Sequence, residues 1–461
     1  MPWRHNPTVY DRSVRKTTRW TGHPGQLVVA AFAVFIFLGT FMLWLPVSRE
    51  TSQPAVSLLD AFFTASSAVT VTGLVVVDTG STWSRFGEVI ILVMIQVGGL
   101  GIMTLAGVLS VFLSRKLGLS QGRLVSAETG VTAMSELKPL VLTLFKFTLV
   151  AELVVAGLLA VRFLTEGTHS IGGSLYLAGF HSISAFNNAG FSNLEGGLER
   201  YVADWYLNLV VAGAFIAGGL GFPVVLDFWH NWRNPRRWAL HSKLTISMSA
   251  ALLALGTVML LLVEWGNEQT FGPLATADKF LAAFFQSATA RTAGFNTVPV
   301  SGFESASVLT MVLLMVIGAS AASTGGGIKT STVLVVVRST IAEFRGDKEV
   351  TLFERRIPAA LQRQALALVI AALGTVGTAT FLLSVLLPDI AIGDLLFEAA
   401  SAFGTVGLSR GVTSQLNYVS KVLIIVLMFI GRVGPITFGS ALLLRRRSHR
   451  FRYPEEQLLI G

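Results

Sequence analysis

The stretch Gly404-Thr405-Val406-Gly407-Leu408 recurs in altered form three more times, as Thr70-Val71-Thr72-Gly73-Leu74, Asn187-Asn188-Ala189-Gly190-Phe191 and Arg291-Thr292-Ala293-Gly294-Phe295. The intervals between Gly73, Gly190, Gly294 and Gly407 are 117, 104 and 113 residues, and a Phe stands ten positions before each glycine, at Phe63, Phe180, Phe284 and Phe397. A period of this kind marks one structural unit repeated along the chain. Four quasi-equivalent wedges in an apolar protein would surround a common axis, which is where an ion pore would run.

Composition places the chain in a membrane. Hydrophobic residues make up 52% of its 461 residues and charged residues 13%, and the mean hydropathy is +0.65. A soluble domain carries about 25% charged residues. The absence of cysteine excludes disulfides, thiolate metal sites and cysteine nucleophiles. The first 25 residues carry Arg4, Arg12, Arg15, Lys16 and Arg19 without an apolar core, and read as a cytoplasmic tail rather than a signal peptide.

A spanning helix needs roughly 20 mostly apolar residues. Eight stretches qualify, beginning near Gln26, Phe86, Leu140, Trp205, Leu244, Val308, Leu361 and Val422. Between the members of each pair lies a segment too short to cross, such as Leu59 to Thr72 or Asp278 to Ala293, which runs into polar backbone broken by the repeat glycine. Such backbone is tolerated at membrane depth only inside protein or beside water. The expected fold is therefore an all-α polytopic membrane protein with eight transmembrane helices and four re-entrant pore helices in fourfold pseudo-symmetry. The expected units are a tail of residues 1–25, repeats over 26–138, 139–242, 243–360 and 361–444, and a C-terminal tail of 445–461.

Charge supports the orientation. Arg115, Lys116, Arg123 and Lys138 fall on one side, with Arg233, Arg236, Arg237, Lys243, Arg338, Arg345, Lys348 and the run Arg445-Arg446-Arg447. Asp78, Glu88, Glu166, Glu195, Glu199, Asp204, Glu264, Glu304 and Asp394 fall on the other. Positive charge remains inside, so both termini are expected in the cytoplasm and every glycine loop enters from outside. The net charge of +9 sits in short loops flanking spans and not on one soluble face, which argues against nucleic-acid binding.

Glycine accepts dihedrals that a Cβ resists, so an extended strand ending in glycine can aim successive carbonyls at an axis. Four such strands would give oxygen rings that replace the hydration shell of a monovalent cation. The expected filter residues are Val71, Thr72, Gly73, Asn188, Ala189, Gly190, Thr292, Ala293, Gly294, Thr405, Val406 and Gly407. A glycine that only terminates a helix explains one such position, but not four that recur with the same preceding Phe.

Each second helix also carries a glycine cluster, at Gly98-Gly99-Leu100-Gly101, Gly218-Gly219-Leu220-Gly221, Gly325-Gly326-Gly327 and Gly431-Arg432-Val433-Gly434. Close helix packing through small residues suits the first two. The third lies in a run of Gly, Ser and Thr from Gly318 to Thr332, where each interior glycine costs a helix roughly 1 kcal/mol relative to alanine. A phosphate-binding loop is excluded, since GxxxxGK[ST] would require glycine where Ile328 stands. Arg432 lies between glycines about ten residues into the last span and needs a cavity and partners there. Glu152 is equally deep, with no partner evident from the sequence. The seven histidines show no metal-ligand spacing, and no embedded His, Asp or Glu cluster of an enzyme is visible.

These filter segments, together with Gly318-Ala319-Ser320-Ala321-Ala322-Ser323-Thr324-Gly325-Gly326-Gly327-Ile328-Lys329 and Tyr453-Pro454-Glu455-Glu456, resemble the Ktr/Trk/HKT superfamily of potassium transporters over nearly the whole chain. A single span before the first filter segment favours the Ktr branch and its membrane subunit. The resemblance implies K⁺ selectivity from glycine at all four filter positions, Gly73 included, with K⁺ as the transported ion and Na⁺ as a second candidate. It implies an intramembrane gating loop over 318–329, with Gly318, Ala319, Ser320, Ser323, Thr324, Gly325, Gly326, Gly327 and Lys329, and an electrostatic barrier at Arg432. It also implies a homodimer in a bacterial inner membrane, in contact with lipids and paired with a cytosolic RCK-type ring of nucleotide-binding subunits. No GxGxxG unit exists in this chain, so ATP or ADP would act only through that partner. The basic inner loops are either docking surfaces for it or topology determinants alone. A symporter coupling K⁺ to Na⁺ or H⁺ is the alternative on the same scaffold.

Overall fold

The computed structural model describes residues 24–117 and 134–434, with side chains from 29 to 101 and from 142 to 434. The tail charges, Arg123 and the Tyr453–Glu456 motif lie outside that description, as do the side chains of Arg115, Lys116 and Lys138. Fifteen α-helices occur among the described residues: α1 (Pro24–Trp44), α2 (Leu58–Val69), α3 (Thr79–Thr82), α4 (Arg85–Leu117), α5 (Met134–Glu166), α6 (Ile171–Phe186), α7 (Trp205–Leu220), α8 (Phe222–Asn231), α9 (Leu240–Glu264), α10 (Thr276–Thr289), α11 (Ser305–Val316), α12 (Thr330–Arg345), α13 (Ala359–Leu386), α14 (Ile392–Gly404) and α15 (Tyr418–Val433).

A three-helix order occurs four times, as α1-α2-α4, α5-α6-α7, α9-α10-α11 and α13-α14-α15, and the middle members α2, α6, α10 and α14 are each shorter than the helix that opens their unit. Serine starts two of these, Ser57 accepting from the Asp60 amide at 3.1 Å and Ser170 from the Gly173 amide at 3.2 Å, which satisfies donors that a helix start leaves free. Each of these short helices packs against the last helix of the preceding unit's trio: α6 on α4, α10 on α7, α14 on α11, and α2 on α15. The last contact closes the circle. Lys421 of α15 pairs there with Asp60 of α2 at 2.6 Å.

Buried aromatic rings fill the space between units. Phe63, Phe180 and Phe397 are each no more than 1% exposed. The third unit departs from the sequence pattern, since Phe284 is half-buried while its neighbour Phe285 is fully buried. Four residues separate the end of α10 from Gly294, against three after α2 and α6, so this unit's helix and glycine are not in the register of the first two.

The outer surface is apolar, with Leu153, Leu262, Ile370 and Val385 more than 60% exposed, as expected where lipid is the solvent. Leu142–Glu166, Leu240–Glu264 and Ala359–Leu386 are each long and apolar enough to cross a membrane. A fourth candidate, α7 with α8, is bent by 103°. The sequence reading made Trp205–Phe228 one span, and the break falls at Gly221, whose φ of 87° leaves the helical region. The stretch from Val308 likewise divides into α11 and α12 around residues 317–329. One further difference from an all-helical expectation is a hairpin of β1 (Thr351–Leu352) and β2 (Arg355–Arg356). Its turn places Phe353 and Glu354 at φ 46° and 61°, the positive values a two-residue hairpin turn demands.

Candidate functional site

The short helices all end at the repeat glycines, and the four loops meet. A Cβ built on Gly73 would lie 2.4 Å from the Ala189 carbonyl oxygen, on Gly190 2.9 Å from that of Ala293, on Gly294 2.2 Å from that of Val406, and on Gly407 2.3 Å from that of Thr72. Each glycine thus abuts the carbonyl of the next loop, and the fourth abuts the first. The result is a closed ring with one oxygen from each unit. No side chain fits at any of the four positions without moving a neighbouring backbone.

Local conformation explains how the loops present oxygen. Val71, Asn188, Thr292 and Thr405 have φ of 56°, 60°, 79° and 52°, and the glycines two residues later have 90°, 68°, 80° and 96°. Left-handed residues alternate with ordinary ones, which turns successive peptide planes the same way instead of to opposite sides. Such φ is rare for β-branched Val and Thr and costs of order 1–3 kcal/mol per residue, strain that concentrates at functional sites. Buried hydroxyls help hold it. Ser67 Oγ accepts from the Gly73 amide at 3.0 Å and Ser401 Oγ from the Gly407 amide at 3.1 Å, while Ser184 Oγ donates to the Phe191 carbonyl at 2.7 Å. The sequence reading passed over these serines, although Ser67, Ser184 and Ser401 each stand six residues before a repeat glycine.

The helix ends add partial negative charge towards the ring, because the last carbonyls of a helix have no intrahelical partner. On the far side of the third loop, Asn296 Nδ2 donates to Glu199 Oε1 at 2.6 Å. Burial raises the Glu199 carboxyl above its usual range, and the Asn296 hydrogen bond partly offsets this.

Residues 317–329 lie directly against the ring. A Cβ on Gly325 would meet Thr292 Oγ1 at 2.1 Å and one on Gly326 would meet Thr405 Oγ1 at 2.3 Å. Thr324 Oγ1 lies 3.2 Å from Asn188 Oδ1, and Asn188 Nδ2 donates to Thr292 Oγ1 at 3.2 Å. The loop is also pinned from several sides. Ser320 Oγ donates to the Gly219 carbonyl at 3.0 Å and to that of Leu220, and Ser323 Oγ to the Ser320 carbonyl at 2.7 Å. The Thr330 amide donates to the Ala319 carbonyl at 3.3 Å. Gly318 approaches the Gly326 carbonyl so closely that a Cβ would lie 2.1 Å away.

Two cations complete the arrangement. Lys329 Nζ donates to the Gly325 carbonyl at 2.6 Å. Arg432 donates through Nη1 to the Thr324 carbonyl and through Nη2 to the Gly98 carbonyl at 2.9 Å, which fastens the loop of the third unit to the first and fourth. Neither cation has an ion-pair partner among the described residues. Glu152, unpartnered in the sequence, accepts from Asn187 Nδ2 at 2.9 Å and from Gln96 Nε2 at 3.3 Å. No group of three or more His, Cys, Asp or Glu suited to a metal ion occurs among the described residues.

Known proteins resemble the chain over nearly its whole length. The TrkH family, described as cation transport proteins, matches residues 7–449. Ktr system potassium uptake protein B of Bacillus subtilis (strain 168) is 39% identical over 98% of this chain and 100% of its own length, and that of Vibrio alginolyticus is 39% identical over 97% of each. The potassium/sodium uptake protein NtpJ of Enterococcus hirae is 34% identical over 98% of this chain and its full length. The crystal structure of the potassium transporter TrkH from Vibrio parahaemolyticus shares the fold, with a TM-score of 0.71, 20% sequence identity, and coverage of 94% of this chain and 87% of that one. With its four units closed around a ring of glycine loops and a family match over almost its entire length, the chain belongs to the TrkH family of cation transport proteins.

Proposed function

We propose that the protein is the ion-conducting subunit of a bacterial K⁺ uptake system. The single observation that carries this reading is the closed ring of Thr72, Ala189, Ala293 and Val406 carbonyls against Gly407, Gly73, Gly190 and Gly294. A ring of carbonyl oxygens exchanges for the water around a K⁺ ion, and conduction needs that exchange to be close to balanced. The filter is formed by the twelve residues from Val71–Gly73, Asn188–Gly190, Thr292–Gly294 and Thr405–Gly407. Four units, each of two membrane-crossing stretches and one re-entrant helix, surround it, with both termini in the cytoplasm of a cell whose inner membrane the protein spans.

Residues 318–329 act as the gate. With Gly325 and Gly326 against Thr292 and Thr405, the loop obstructs passage, and Lys329 and Arg432 add positive charge at low dielectric, where it repels a cation more strongly than in water. Opening requires release of the Thr324 carbonyl from Arg432 and of the Gly325 carbonyl from Lys329. The names of the Ktr relatives describe a system, which supports a separate partner supplying control. That partner is a cytosolic ring binding ATP or ADP, and two copies of this chain dock on it. Growth of a K⁺-uptake-deficient bacterium on low K⁺, with and without a co-expressed nucleotide-binding partner, tests the proposal. Absence of growth under both conditions despite membrane expression contradicts it.

The naming of the Enterococcus hirae relative for both potassium and sodium favours a second reading, in which Na⁺ accompanies or drives K⁺. Reversal potentials in reconstituted vesicles under varied Na⁺ and H⁺ gradients separate the two. A reversal potential set by K⁺ alone excludes coupling.

A further inference from the structure

Three residues before the filter glycines stand Thr70, Asn187, Arg291 and Gly404. Their surroundings differ. Gly404 has no side chain, and Thr70 bonds within its own unit, to the Ser66 carbonyl at 2.7 Å and to Thr72 Oγ1 at 2.8 Å. Asn187 and Arg291 instead reach the long helix that opens their unit. Arg291 donates to the Ser249 carbonyl at 3.3 Å and hydroxyl at 3.1 Å on α9. Asn187 Nδ2 lies 2.9 Å from Glu152 Oε1 on α5, 3.0 Å from Gln96 Oε1 on α4 and 3.0 Å from the Ile183 carbonyl of its own helix, and Gln96 Nε2 donates to Glu152 Oε2 at 3.3 Å.

Glu152 is 7% exposed, and its side-chain partners in these contacts are two amides. A buried carboxylate is poor value for stability, since apolar residues of similar volume commonly pack as well or better. What it supplies is two directed acceptors on a rigid helix. The Ser182 hydroxyl donates to the Glu152 carbonyl at 2.5 Å, which ties that part of α5 to α6 just ahead of the loop. Asn187 is directly followed by Asn188, at φ 60°, and then by Ala189, whose carbonyl faces Gly73 in the ring.

We infer that Glu152 is a positioning residue for cation discrimination, acting through Asn187 to hold the second filter loop in its strained conformation. The inference rests on the filter reading above. Loss of the carboxylate leaves Asn187 with Gln96 and the Ile183 carbonyl but unties it from α5, and lets the Ala189 carbonyl leave the distance at which it competes with water for K⁺ while Na⁺ is held too loosely.

The test uses the full chain reconstituted in liposomes, reading the K⁺-to-Na⁺ permeability ratio and the maximal K⁺ flux separately, with monodispersity and thermal stability measured on the same preparations. Glu152→Leu should lower the ratio about fivefold, in line with the loss of one directed hydrogen bond. Glu152→Gln, which retains one acceptor oxygen for Asn187, should restore it to within about twofold of the parent. Gln96→Leu keeps the carboxylate but removes one of its donors, and should shift the ratio in the same direction by about twofold; it serves where Glu152→Leu does not fold. Parental selectivity in whichever of the two leucine variants folds overturns the inference, as does a loss of flux without a change in ratio, or a Glu152→Gln ratio as low as that of Glu152→Leu. Gly190→Ala is the control: if it also leaves selectivity unchanged, the filter reading itself has failed, whereas a shift there with none at Glu152 removes only the tether.

Discussion

The ring of glycine loops and the layer against it follow opposite rules. In the ring, the four units do the same thing: a left-handed residue, an ordinary one, then a left-handed glycine against the neighbouring carbonyl. In the adjoining layer every unit differs. The helix α4 runs through Gly98 and Gly99 unbroken, the second unit bends by 103° at Gly221, the third opens into residues 317–329, and the fourth contributes Arg432. On the function proposed, replacing a hydration shell requires oxygens on all sides of the ion, which enforces symmetry. Obstructing a path requires one movable element, so one unit can supply it and the other three are free to differ.

The largest effects should come from breaking the symmetric layer. Gly294→Ala places a methyl group 2.2 Å from the Val406 carbonyl oxygen at a φ of 80°, and is expected to reduce K⁺ uptake at least about tenfold, the scale of strain and displaced backbone together. Gly73→Ser, 2.4 Å from the Ala189 oxygen, is expected to relax selectivity towards Na⁺. Competitive uptake of K⁺ and Na⁺ in the two variants checks both, and parental selectivity in both would dissolve the distinction between the layers.

A smaller effect is expected in the asymmetric layer, and of opposite sign. Deleting part of Ala319–Gly327 should raise K⁺ flux severalfold and weaken dependence on a partner, because the obstruction is removed while the ring is retained. Flux at or below the parental level in a well-folded deletion would assign these glycines to packing.

Arg432→Gln should raise flux by less, about two- to fivefold, with selectivity kept, since one fixed charge and one pin are lost while the loop remains. Lys329→Met should act in the same direction and more weakly, because its amine reaches only carbonyls of its own loop. Comparing maximal uptake in the two variants orders them, and an effect at Lys329 exceeding that at Arg432 would place the main barrier within the loop and not at its attachment.

Much of this was legible in the residues. The spacing of Gly73, Gly190, Gly294 and Gly407 announced four equivalent loops, and the Gly, Ser and Thr run from Gly318 announced a broken helix, because glycine and hydroxyl residues state their backbone preference locally. Less legible were features that depend on which elements meet. Asn187, Gln96 and Glu152 come from three helices, and only their assembly supplies the partner that Glu152 lacked in the sequence. Gly221 resembled the packing glycines at Gly98 and Gly99, which approach their neighbours even more closely, and only its φ of 87° distinguishes a bend from a close approach. The burial of Phe285 in place of Phe284 was likewise not registered by a fixed offset counted back from the glycine.

The account's central claim is that the four glycine loops hold the transported cation. Its most direct test is anomalous diffraction from crystals of the protein grown in Rb⁺ or Tl⁺ salts. The account predicts peaks on the pseudo-fourfold axis, level with the carbonyls of Thr72, Ala189, Ala293 and Val406. Ordered cations elsewhere in the protein, with none at that ring, would contradict it.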